Sequence, residues 1–156
     1  MATPQLFDVT RDEVLTTRIP ALGVRGAALP AYAALDTDGQ IMNEAAADIA
    51  EALQAGGHGL SPTVNSTDTP VAYYRLRGLL MERVALIYIR IIGQGISAEK
   101  AEARWKMHEM RMEAISDGES VGELVVTDGQ NRVQFRHGSD SRNDLDNRRF
   151  KATTEV

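Results

Sequence analysis

The stretch PVAYYRLRGLLMERVALIYIRII, residues 70–92, constrains the fold of this chain more than any other. Wound as a helix, it gathers Arg75, Glu82, Arg83 and Arg90 into one narrow sector and leaves nearly everything else apolar. Its β-branched second half would suit a strand on propensity alone. The confinement of charge decides for a helix, and Pro70 suits its first position. Such a helix must be covered on several sides, and a chain of 156 residues has little of its own to do it with. Neighbouring subunits are therefore expected against it. Ile87 and Ile91 should be buried within the subunit, and the four-residue charged stripe should face another chain.

Other helices are readable from caps and periodicity. Thr10 and Glu13 form a capping-box pattern, which predicts a short helix to about Thr17. RIPALGVRGAALP, with two prolines and two glycines, reads as loop. Ile41, Ala45, Ile49 and Leu53 make an i, i+4 stripe that Gly56-Gly57 closes. GGHGLSPTVNSTDTP is a long connection, a kind usually functional or partner-bound. Ser97 should cap a last helix with Glu99 in its first turn. That helix carries two apolar stripes. Ala98, Ala101, Trp105, His108, Met112 and Ile115 form one; Ala103, Met107, Met110 and Ala114 form the other. Two stripes call for two packing partners.

After Asp117-Gly118 the period changes from helical to two. VGELVV and RVQF flank Asp128-Gly129, a strong hairpin signal. A two-residue turn would pair Leu124 with Val133 and put Leu124, Val126, Val133 and Phe135 on one face. Glu123, Arg132, Gln134 and Arg136 fall on the other. From His137 onward only Leu145, Phe150 and Val156 are large and apolar, so this arm is expected to order only against another chain. The fold class expected is mainly α: a small helical bundle around a long central helix, with a C-terminal β-hairpin and an extended arm. The segments are 1–34, with a short helix; 35–118, the helical core; 119–136, the hairpin; and 137–156, the arm.

Composition excludes several chemistries. With no cysteine there is no disulfide, thiolate metal site or cysteine nucleophile. A formal charge of −5 argues against a general nucleic-acid binder. The first residues lack a signal-peptide core, and VALIYIRII is far short of the roughly twenty apolar residues of a membrane span. LDTDGQIMNEAAADI has the look of a calcium loop. With Gly39 at the sharp turn, however, the first and last ligand positions fall on Ala34 and Ala45. It is better read as a turn before a helix, with Asp38 or Asn43 as candidate cap. MHEMR opens like a zinc-protease helix but lacks the second histidine, so His108 is expected to be a packed, hydrogen-bonded core residue. Arg142, Arg148, Arg149 and Lys151 are interleaved with Asp140, Asp144 and Asp146, as in a salt-bridging arm. No phosphate loop, dinucleotide fingerprint or nucleophile elbow occurs in the sequence. The expectation is a protein without catalytic, metal or cofactor residues.

Taken in order, ALDTDGQIMNEAAADIAEAL, a loop rich in proline and threonine, PVAYYRLRGLLMERVALIYI and SAEKAEARWKMHEMRMEAI resemble the head-completion proteins of tailed bacteriophages, also called head-to-tail adaptors or connectors. The likeness covers roughly residues 35–118. HGLSPTVNSTD replaces the family's usual aromatic and proline signature, and the C-terminal part extends past the common core. The resemblance implies a virion neck protein, assembled in the host cytoplasm. It would form a ring of about twelve copies under the portal. The ring would extend the DNA channel and seat a tail-completion or stopper protein, and DNA would pass without sequence-specific binding. Its partners would be further copies of itself, the portal protein and that next neck protein. Contact residues expected on this reading are Leu124, Val126, Val133, Phe135, Arg75, Glu82, Arg83, Arg90, Arg142, Arg148, Arg149 and Phe150, the charged stripe facing a neighbour or the channel. Two other readings compete: a small helical binding module using the Met-rich last helix, and an enzyme with an intersubunit site using Arg83 and Arg90.

Overall fold

The computed structural model describes residues 6–58 and 64–124. Three long helices form the body: a first core helix, Gln40–Ala55; a central helix, Pro70–Ile92; and a last helix, Ala98–Ser116. Each packs against the other two, and no strand occurs among the described residues. The protein is mainly helical. No helix among the described residues is long and apolar enough to cross a membrane.

The local signals that define these helices are visible in the backbone. Pro70 occupies the first turn of the central helix, and Gly93, at φ 66°, ends it in the left-handed conformation. The Lys100 N–H donates to Ser97 Oγ at 3.2 Å, and the Glu13 N–H to Thr10 Oγ1 at 3.2 Å.

The central helix is buried on several sides, as its apolar circumference requires. Leu76, Leu80, Val84, Ala85, Leu86, Tyr88 and Ile89 are all buried. Much of the cover comes from within the chain, by a route the sequence did not suggest. Residues 11–21 run on as one helical segment: Arg11–Glu13, a wide π turn at Val14–Arg18, then Ile19–Ala21. The wide turn carries the chain past Pro20, which has no N–H to give to an α-ladder. A 3-10 helix, Gly26–Tyr32, follows. The expected loop at 18–30 is thus largely helical, and Val9, Val14, Ile19, Leu22, Val24 and Tyr32 join the buried core. Arg77 lies outside the charged sector and forms an ion pair with Glu13 of this segment. That pair holds the Glu13 carboxyl below its ordinary range, chiefly through the hydrogen bond from Arg77.

Two expectations about isoleucine separate. Ile87 is partly buried against the core, whereas Ile91 is 54% exposed. A four-residue step turns the side chain by about 40°, enough near the end of a helix to leave the covered face. The last helix buries its first stripe, with His108 and Met112 inside and Ala101, Trp105 and Ile115 packed against the core. Its second stripe has no such cover: Met107 is 49% and Met110 68% exposed.

After the last helix the chain returns to the start of the central one. The expected strand does not begin at Val121. Residues 121–124 make a tight turn, closed by the Leu124 N–H on the Val121 carbonyl at 3.0 Å. Leu124 packs against the core, so one member of the expected hairpin face is used inside the subunit. Val126, Val133 and Phe135, and the arm with Arg142, Arg148, Arg149 and Phe150, lie outside the described residues.

Candidate functional site

The DTDG stretch forms a polar clasp. Asp36, at φ 56°, is nearly buried and points its carboxylate at the start of the first core helix. The Ile41 N–H donates to Oδ1 at 2.8 Å and the Met42 N–H to Oδ2 at 3.1 Å. These are two of the amides that a helix N-terminus leaves unpaired, and an anion there also meets the positive end of the helix dipole. The Tyr88 hydroxyl donates to Oδ2 at 2.6 Å, which ties the clasp to the central helix. Burial, and then the adjoining carboxylate, push the Tyr88 phenol well above its ordinary value. Arg11 closes the other side, donating from Nε to the Leu35 carbonyl at 2.6 Å and from its terminal nitrogen to the Ala33 carbonyl. Asp38 does accept the Gln40 N–H at 3.2 Å, but Asn43 lies inside the helix. The principal acceptor is Asp36, which the sequence reading passed over.

The charged stripe of the central helix is also largely consumed within the subunit. Arg83 donates to Asp48 of the first core helix at 2.9 and 3.0 Å and to Glu109 of the last helix at 3.0 Å. Arg90 stacks 3.9 Å from the centroid of the Trp105 ring and reaches Glu102 at 3.4 Å. Glu82 is buried and accepts from Arg111 at 2.8 Å. These pairs follow an antiparallel register, with Arg90 opposite Glu102, Arg83 opposite Glu109 and Glu82 opposite Arg111. Opposite signs at matching intervals on the two helices were the available signal. Glu82 and Arg83 are therefore corrected from an outward stripe to a seam between helices. Only Arg75 of the four is exposed and without an ion pair among the described residues.

His108 sits behind this seam, fully buried. Its Nδ1 lies 3.9 Å from Glu82 Oε2, an electrostatic contact too long for a hydrogen bond. His108 has the core placement expected of it, without the expected hydrogen bond among the described residues. The adjoining imidazole, with the charges of Arg111 and Arg18, holds the Glu82 carboxyl below its ordinary range against the opposing effect of burial.

A second clasp lies at the start of the central helix. The Val71 and Ala72 N–H groups donate to the two carboxylate oxygens of Glu123 at 3.0 and 2.9 Å. These bonds, the one from Ala72 foremost, lower the Glu123 pKa. Gly122, at φ 50°, lets the chain come this close: a Cβ there would stand 2.4 Å from the Ala72 nitrogen. Glu123 was expected on the polar face of a hairpin and serves instead as a helix cap.

The side chains brought together thus build joints between helices. Among the described residues, no group of three or more histidines and carboxylates is placed to hold a metal ion. Among known families, characterised proteins and solved structures, nothing matches this chain.

Proposed function

We propose that this chain is a structural subunit of a tailed-phage neck: a head-to-tail adaptor forming a ring of about twelve copies, of the heterologous, closed type. The ring sits under the portal, extends the DNA channel and seats the tail or a stopper protein. The observation that carries this reading is the uncovered second stripe of the last helix, with Met107 and Met110 about half and two-thirds exposed. Ile91 of the central helix adds a further exposed apolar side chain. Large side chains repeated at helical spacing on an outer face are typical of a surface that another protein covers. The joints described above support the same reading, because caps and ion pairs that lock three helices together suit a rigid building block.

The test is native mass spectrometry and negative-stain imaging of the protein, alone and with portal particles. Rings of about twelve copies, lost in Met107→Glu/Met110→Glu with helical content unchanged, are expected, since a buried charge without a partner opposes association. A monomer that forms no ring with or without portal would refute the reading. The same methionine stripe favours one other use, as the partner face of a small helical binding module. A stable dimer abolished by the same double substitution would decide for that.

A further inference from the structure

Between the N-terminal segment, the central helix and the end of the last helix lies a pocket of about 510 Å³. Arg18, Arg75 and Arg111 line it, against only two carboxylates, Glu82 and Glu119. Glu82 is already taken, by Arg111 at 2.8 Å and by its contact with His108. Arg18 is left over. Its Nε is buried without a hydrogen-bond partner among the described residues. Its Nη2 lies over the middle of the central helix, 3.7 Å from where a Cβ on Gly78 would stand. Arg75, on the same pocket, has no ion pair among the described residues either. A guanidinium without an ion-pair partner keeps N–H donors that can serve an incoming acceptor.

We propose that this pocket receives a carboxylate side chain from a neighbouring copy of the chain. The inference rests on the assembly proposed above and names one of its contacts. Guanidinium groups present paired N–H donors that match a carboxylate. Leu76, Leu79, Ile115 and Val121 give the pocket apolar walls that suit the stem of a side chain better than a hydrated inorganic anion. At the rim Tyr74 is 62% exposed and Val71, one turn earlier, 50% exposed, so a protein surface could continue outward from the pocket. A second copy is also a source of carboxylates: the chain has 22 acidic against 17 basic residues.

The experiment has two arms, run on the full chain, with folding of each variant checked by circular dichroism. In the first, a capped Asp-Leu-Asp tripeptide and inorganic phosphate are titrated at equal ionic strength into protein kept below the concentration at which it assembles. The tripeptide should bind the wild type and Arg25→Gln, an exposed arginine outside the pocket, and bind Arg18→Gln at least roughly tenfold more weakly. No tripeptide binding, or phosphate binding equally well, overturns the carboxylate site. In the second arm, sedimentation velocity compares assembly of wild type, Arg25→Gln and Arg18→Gln/Arg75→Gln. Loss of assembly in the double variant alone supports the proposal. Undiminished assembly overturns the neighbouring copy as occupant. A wild type that never assembles sinks the ring reading and that occupant together, while the titration still decides whether the pocket takes a carboxylate.

Discussion

Asp36→Ala tests the clasp most directly. The substitution removes three acceptor contacts at once: the Ile41 and Met42 amides at 2.8 and 3.1 Å and the Tyr88 hydroxyl at 2.6 Å. Loss of a helix cap costs about 1–2 kcal/mol. The Tyr88 hydroxyl, on a residue with no exposed surface, is left without its acceptor, at about 1–3 kcal/mol. Alanine must also hold the left-handed φ of 56°, which adds about 1 kcal/mol. With partial relaxation the total comes to about 3–5 kcal/mol, a large fraction of the stability of an ordinary domain. Asn tolerates that φ and keeps one acceptor, so Asp36→Asn should cost about half as much. Urea unfolding followed by far-ultraviolet circular dichroism would measure both, the shift appearing in the midpoint at constant slope. Tyr88→Phe completes a double-mutant cycle, with a coupling of about 1–2 kcal/mol expected. A cost below about 1 kcal/mol for Asp36→Ala, or strict additivity with Tyr88→Phe, would refute the reasoning.

Gly122→Ala should destabilise by about 1–3 kcal/mol, since the new Cβ meets the Ala72 backbone and the positive φ is strained. Faster hydrogen exchange at the Val71 and Ala72 amides, in this variant and in Glu123→Gln, would localise the damage; unchanged exchange would count against the second clasp. Glu82 should give stability an acid limb. Its folded pKa lies below the ordinary glutamate range, so its contribution is full above that range and is lost as pH falls through the folded pKa. Glu82→Gln should accordingly be less stable than wild type at pH 7 and show a flatter loss on acidification, read from unfolding midpoints at a series of pH values.

What the sequence determined by itself rests on neighbours a few residues apart, though Asp36 and the helical turns within 18–30 show that not every local feature was read. The central helix was legible because its charges share one sector, and its start because Pro70 acts through its own backbone geometry. Thr10 and Ser97 were legible for the same reason, each capping an amide three residues on. The second apolar stripe of the last helix was likewise readable, because helical periodicity needs no knowledge of what lies opposite.

The tertiary structure decided what the polar side chains that act across the fold do. Asp36 and Tyr88 stand 52 positions apart, Arg77 and Glu13 stand 64 apart, and Glu123 and the Ala72 amide 51 apart. A stripe that looked outward became a seam because the last helix folds back antiparallel and brings Glu102, Glu109 and Arg111 against it. Periodicity fixes which residues share a face, but which face meets which depends on how whole helices pack. That choice rests on the summed burial of many side chains distant in sequence, and no local pattern encodes it.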